Sequence, residues 1–386
     1  MTTTIWSFPT RVLFGAGSVA DVGAEVKRLG GTRALIVTDR GVCAAGLTEP
    51  VGTALEKQGV PFSVFDDVSS NPRESEVLGA LAELRASNAD VVIGLGGGSP
   101  IDVAKLVRLA ATHPLPLAQY DDAAGGSERI TQAMPPMLAI PTTAGTGSEV
   151  GQSGVVTIEE TGRKTVVFGP SLIPDVAILD PELTQTMPPK ITAATGFDAL
   201  THCIESYCAK GDHPMADALA LEGVALIARS LERAVNEGKD VEARGDMMKA
   251  AMMGAIAFQK GLGACHALAH PLSAELGLHH GLANALCLPA VLDFNRSAVP
   301  DRIARIARAL GARGDDDETL CFECSGAVRA LRRKVGLPSG LAAEGVDESQ
   351  LPRLAALAIQ DPAHQLNSRP CTEADLLALY KASLST

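Results

Sequence analysis

Short β-branched apolar runs punctuate the first half of the chain: RALIVT at 33–38, FSVF at 62–65, VVIG at 91–94, MLAI at 137–140 and VAIL at 176–179. Stretches of helical spacing separate them. Strands that alternate with helices in this way build a parallel sheet covered by helices. From Pro188 onward strand signals vanish and apolar residues recur at helical spacing, as in DRIARIARALG, AVRALRRKVGL and TEADLLALYKA. In the last of these, Thr372 and Asp375 predict a capping box. The character changes within DPELTQTMPP, residues 180–189, where three prolines and no periodicity mark a connection. The expected fold class is α/β plus all-α, with an α/β domain over residues 1–184 and a helical domain over residues 185–386. There is no solenoid-length repeat and no low-complexity tract.

Composition fits this picture. The chain has 386 residues, a length that suits two domains, and its 46% apolar and 20% charged content supplies ample core material. Aromatics are only 3%, so Ala, Leu, Val and Ile must fill that core. The 33 basic against 45 acidic residues leave a net charge of −12, which repels nucleic-acid backbones and anionic membrane surfaces. The N-terminus lacks a basic segment followed by an apolar run, and no apolar stretch reaches the roughly 18 residues of a membrane helix, so a cytoplasmic protein is expected. The eight scattered cysteines read as reduced thiols. Cys321 and Cys324 form a CxxC without a second pair, which we read as two small residues near a helix end.

Chemistry enters with the glycines. The strand VVIG runs into LGGGSPIDVAK, where Gly96, Gly97 and Gly98 carry no side chain, Ser99 is placed to cap and Pro100 suits the first helical turn. Such a helix start offers free N–H groups and a positive end to a pyrophosphate. A Walker A loop is excluded, because Lys105 lies too far into the helix. A second loop, PTTAGTGSEV at 141–150, offers the hydroxyls of Thr142, Thr143, Thr146 and Ser148 to phosphate or ribose. GAGSVA at 15–20 matches the dinucleotide fingerprint in letters, but the two later loops compete for the same phosphates, so we read it as a tight turn opening the first helix. Asp39 ends the strand RALIVT, where its carboxylate suits a ribose diol and repels a 2′-phosphate, favouring NAD over NADP.

Five of the eight histidines fall in two short stretches, GFDALTHCIE at 196–205 and CHALAHPLSAELGLHHG at 265–281. Asp198 and His202 are four apart, as are His266 and His270, so each pair shares one helix face. His279 and His280 follow. One carboxylate with two or three imidazoles suits Fe(II), Zn(II) or Mn(II) and not Ca(II). Spacing alone does not choose among His266, His270, His279 and His280.

Taken together, LGGGSPIDVAK, PTTAGTGSEV, GFDALTHCIE and CHALAHPL…HHGLANA resemble the iron-containing (group III) alcohol dehydrogenase family. The resemblance runs from the FGAGS turn at 14–18 to NSRP at 367–370. It implies an N-terminal dinucleotide-binding domain, a C-terminal helical domain holding one divalent metal, and catalysis in the cleft between them. Carried over by position, it implies Asp198, His202, His266 and His280 as ligands of Fe(II), or of Zn(II) or Mn(II). His270 is then the unligated histidine that relays the catalytic proton, and His279 a neighbour without a role. For NAD it implies Gly97, Gly98 and Ser99 at the pyrophosphate, Thr142, Thr143 and Ser148 nearby, Asp39 at the ribose, and Lys164 and Leu183 lining the pocket. Phe258 falls where the family places an aromatic beside the substrate. Gln152, Ser153, Gln259 and Lys260 depart from the usual pattern and bear on substrate identity. Lys260 is either a solvated surface lysine or a partner for an acidic substrate group.

The expected activity is hydride transfer between NAD and a small alcohol or its aldehyde or ketone, in a homo-oligomer of two or more subunits. A same-fold polyol or hydroxy-acid dehydrogenase, a dehydroquinate-synthase-like lyase and a non-catalytic NAD-binding protein are the alternatives.

Overall fold

The computed structural model describes Phe8 and residues 10–385, which divide into two compact units. One comprises Phe8–Thr143 and Gly147–Thr186; the other takes Ala144–Thr146 and the chain from Met187 onward.

The α/β unit contains β1 (Arg11–Phe14), α1 (Val22–Arg28), β2 (Ala34–Val37), α2 (Arg40–Ala44), α3 (Thr48–Lys57), β3 (Phe62–Phe65), α4 (Glu74–Ser87), β4 (Val91–Gly96), α5 (Gly98–Thr112), β5 (Met137–Pro141), β6 (Ser153–Ile158), β7 (Arg163–Phe168) and β8 (Val176–Leu179). Six strands form one parallel sheet in the order β1-β8-β5-β4-β2-β3. The central strands are buried on both faces, which is why they read as unbroken apolar runs. Alternate residues serve opposite sides. Ala34, Ile36, Val91 and Ile93 pack with Val22, Val26, Val51 and Leu55, while Leu35, Val37 and Val92 pack with Leu81, Leu84, Val103 and Leu106. Strands adjacent in this order but linked in opposite directions leave a crevice at their carboxyl ends, and here that point falls between β2 and β4.

Five of these strands coincide with the apolar runs of the sequence. β1 and the antiparallel hairpin β6–β7 were not expected. The hairpin aligns Val156 with Thr165 and turns its buried residues, Val156, Ile158 and Val167, onto the core beneath α4 and α5.

The helical unit contains α6 (Pro189–Cys208), α7 (Pro214–Asn236), α8 (Val241–Ala257), α9 (Ala264–Leu276), α10 (His280–Asn295), α11 (Pro300–Ala309), α12 (Asp317–Lys334), α13 (Leu351–Ala358) and α14 (Glu373–Ser383). Helix α6 is buried without a break from Thr192 to Cys208, and α7, α8 and α10 pack around it. An amphipathic stripe would have left one side wet, whereas a helix covered on every side becomes the centre of its unit, and the polar side chains it carries are buried with it. The Thr372–Asp375 capping box starts α14 as expected. All eight cysteines are free, with Cys321 and Cys324 buried on α12. Among the described residues no helix is long and apolar enough to cross a membrane.

Candidate metal and nucleotide sites

Asp198, His202 and Glu205 stand at i, i+4 and i+7 on α6, so one face of the central helix carries all three. Around Asp198 Oδ1 converge the Nε2 atoms of His202 at 3.9 Å, His266 at 3.9 Å and His280 at 3.4 Å. Ligand atoms of a tetrahedral centre with bonds of about 2.1 Å lie about 3.4 Å apart, so this spacing fits one cation with small adjustments. Ligand atoms of Asp198, His202 and His266, all buried, lie within 4.8 Å of one another.

The electrostatics agree. Burial pushes the Asp198 carboxyl up, but His202, His280, His266 and the Asn284 amide outweigh it and hold the group at about 2. Burial drives His266 and His280 well below the usual imidazole range. A carboxylate beside imidazoles is the donor set that borderline divalent cations take. Asn284, one turn beyond His280 on α10, donates from Nδ2 to Asp198 Oδ1 at 2.8 Å.

The rings themselves are stacked. His202 lies parallel to His266 at 4.8 Å between centroids and meets the Phe258 ring at 5.2 Å. His270, although on the same face of α9 as His266, turns outward: it is exposed, stacks on His280 at 5.2 Å, and its Nδ1 lies 2.6 Å from Asp361 Oδ2. His279 is exposed just before α10. Lys260 is neither a surface lysine nor free for substrate. It is buried, donating to the Tyr207 carbonyl at 3.1 Å and to Asp217 Oδ1, and Asp217 also binds Arg302. Gln259 is exposed and donates to the Ile256 carbonyl.

In the α/β unit the two glycine loops meet. Helix α5 begins at Gly98 with Gly97 as N-cap, and no side chain caps it. Ser99 therefore does not cap; its Oγ donates to the Ser70 carbonyl at 3.0 Å instead. The first-turn N–H groups of a 15-residue helix are thus left without a side-chain acceptor. Thr142 donates its N–H to the Gly96 carbonyl at 2.9 Å, and a Cβ on Gly97 would touch Thr143 at 3.4 Å, so the loops after β4 and β5 are neighbours. Asp39, just past the end of β2, is the N-cap of α2, where its Oδ1 accepts from the Val42 N–H, while its Oδ2 faces Gly96.

The other three expected cofactor residues, Ser148, Leu183 and Lys164, are placed as follows. The Ser148 hydroxyl donates to Asp102 at 2.5 Å and accepts from the fully buried Lys105 at 2.9 Å, because α5 needs partners for that lysine. Leu183 is a core residue beneath the sheet. Lys164 is exposed on β7, opposite Thr157. The GAGSVA turn is a turn, and its Val19 N–H is taken by Asp180 Oδ2 at 3.1 Å.

Sequence reasoning missed Glu205, Asn284 and Asp361. Glu205 is buried and accepts from the Cys265 and His266 N–H groups, and burial raises it to about 7 against those bonds. Its i+7 position from Asp198 on a nearly uncharged helix was the available signal. Asp361 lies 91 residues from His270 and carried none.

Comparison with known proteins gives the class. Residues 9–181 match the iron-containing alcohol dehydrogenase family and residues 192–384 its C-terminal part. The chain belongs to the iron-containing alcohol dehydrogenase family, and so to the oxidoreductases that act on alcohols. It is 40% identical to a 4-hydroxybutyrate dehydrogenase of Cupriavidus necator, over 97% of this chain and 98% of that one. It is similar in structure to a 1,3-propanediol oxidoreductase, with a TM-score of 0.96 and 36% identity over 99% of this chain and all of that one. A sulfoacetaldehyde reductase from Bifidobacterium kashiwanohense, solved in complex with NAD+, matches with a TM-score of 0.88 and 30% identity over the whole of both chains.

Proposed function

We propose that this protein is a cytoplasmic, NAD-linked, divalent-metal-dependent alcohol dehydrogenase and aldehyde reductase acting on small alcohols and their carbonyl partners, as a homo-oligomer. The observation that carries the reading is the convergence of the His202, His266 and His280 Nε2 atoms on Asp198 Oδ1. A divalent ion, Fe(II) or alternatively Zn(II) or Mn(II), supplies Lewis acidity to a substrate oxygen when bound, and the nicotinamide takes or gives the hydride.

The chain's own residues do the rest. The uncapped start of α5, with Gly97, Gly98 and the Ser99 N–H, binds the pyrophosphate, and Thr142 and Thr143 flank it. Asp39 holds the adenosine ribose through the carboxylate oxygen facing Gly96 and disfavours a 2′-phosphate. Phe258, against His202, gives the reacting end an apolar wall. His270 uses Nδ1 on Asp361, which leaves Nε2 to pass a proton to solvent from its exposed position.

A hydroxy-acid substrate is the second reading, favoured by the name of the 40%-identical relative. Lys260 does not serve it, since its ammonium is spent on Asp217. Metal analysis of protein purified without air, with an NADH absorbance screen over short alcohols, diols, hydroxy acids and aldehydes, tests the proposal. Metal-free protein that still reduces NAD at full rate would overturn it.

A further inference from the structure

Resting on the reading of Asp198, His202, His266 and His280 as a cation site, we infer that Glu205 is the positioning residue that sets the His266 tautomer and fixes helix α9 on α6, and thereby sets the affinity for the cation. Glu205 Oε2 lies 2.6 Å from His266 Nδ1. The same carboxylate takes the Cys265 N–H on Oε1 at 2.6 Å and the His266 N–H on Oε2 at 3.3 Å. Those are first-turn donors of a 13-residue helix, so an anion there meets the positive end of α9 as well.

Two consequences follow from this one group. In its ionised form the Glu205 carboxylate accepts at Nδ1, so the imidazole proton sits on Nδ1 and the lone pair on Nε2 is turned toward Asp198. With α9 pinned at its first turn, the ring cannot swing away with its helix. Carboxylate partners of this kind orient imidazole ligands and raise their basicity. The local sequence is built to admit it. A Cβ at Gly263 would lie 2.7 Å from Glu205 Oε1 and 2.8 Å from Asn367 Oδ1, so a glycine there lets both side chains reach the start of α9. Asn367 completes the set by accepting from the Ala264 N–H at 3.2 Å.

Two measurements test this. Protein labelled with 15N-histidine, stripped of metal and compared with the His266→Asn variant to assign the ring, reports the His266 tautomer by long-range 1H–15N correlation. A proton on Nδ1 is expected; one on Nε2 overturns the inference, whatever becomes of the metal reading. Zn(II) is then titrated against a chelating dye into wild type and Glu205→Gln, with the metal-free melting temperature read in parallel. Glu205→Gln is expected to bind Zn(II) ~10- to 100-fold more weakly per folded molecule. Unchanged affinity in a folded variant overturns the inference while the cation site stands. Wild type that binds no Zn(II) overturns the site reading instead. Should the variant not fold, the wild-type tautomer decides alone.

Discussion

His270 Nδ1 and Asp361 Oδ2 lie 2.6 Å apart, joining helix α9 to the turn that precedes Pro362, where Asp361 also accepts from the Ala363 N–H at 2.9 Å. An exposed imidazole held this closely is oriented without being a member of the converging set, which is what a proton relay needs. Asp361→Asn is expected to lower kcat about tenfold, short of the ~10²–10⁴-fold that general acid–base catalysis contributes, because it disturbs the relay without removing it, and to leave metal content unchanged. His270→Ala is expected to lower kcat further, again with metal retained. Stopped-flow rates together with metal analysis read both, and loss of metal from His270→Ala would make it a ligand.

Asp39 does two jobs with two oxygens. One caps α2 through Val42 and the other faces Gly96 at the strand crevice. Asp39→Asn keeps an acceptor for the cap and removes the charge, so it separates fold from selectivity. The NADP-to-NAD ratio of kcat/KM is expected to rise about tenfold, equivalent to about 1.4 kcal/mol. Asp39→Gly is expected to shift the same ratio at some loss of stability, because the cap goes too. A ratio unmoved in both variants removes Asp39 from the ribose.

Glu149 gives a pH dependence. It is buried, and burial raises its carboxyl to about 7, against its own backbone hydrogen bond and the charge of Lys105. The folded state therefore holds a proton that the unfolded chain has released above its ordinary value of 4.5. Stability contributed this way is fully present below pH 4.5 and is lost as pH rises toward 7. Glu149→Gln keeps the shape without the ionisation. It is expected to melt near wild type at pH 5 and to be more stable by about 1–3 kcal/mol at pH 8, in calorimetric scans across that range. A variant less stable than wild type at pH 8 would show that the Lys105 attraction dominates.

Legibility followed locality. Apolar β-branched or aromatic runs announce strands, so β2, β3, β4, β5 and β8 were readable, whereas β1, an edge strand that opens on an exposed arginine and is exposed at both ends, did not stand out. The hairpin β6–β7 alternates buried and open residues along SGVVTI and RKTVVF, but it sits between stronger signals and went unread. Asp198 and His202 follow from spacing on one helix. His266 and His270 have the same spacing, yet they part company, since His270 finds Asp361 from a distant turn. That choice, and the inclusion of His280, came from family resemblance and not from periodicity. Lys260 shows the converse failure: its burial is decided by Asp217 and Arg302, which lie 43 and 42 residues away in opposite directions.

The histidine pair at 279 and 280 is followed by Gly281, and the packing of α10 on α6 explains why that position bears no side chain. A Cβ there would fall 2.1 Å from the Ala194 carbonyl oxygen and 3.2 Å from the Asp198 Cβ. Both neighbours belong to the most buried helix of the unit, and the closer one is backbone, so neither can step aside. Gly281→Ala must therefore push the start of α10 outward, carrying His280 away from Asp198, from which its Nε2 is now 3.4 Å distant. Overpacking of this kind costs about 1–3 kcal/mol. The melting temperature of the metal-free protein is expected to fall accordingly. Zn(II) affinity is expected to fall with it, because one of the four converging groups is displaced while Asp198, His202 and His266 stay in place. Isothermal titration of the variant at a temperature where it remains folded separates the two effects. Weakened binding in a folded Gly281→Ala protein would tie His280 to the cation, whereas full-strength binding would leave the site to the other three.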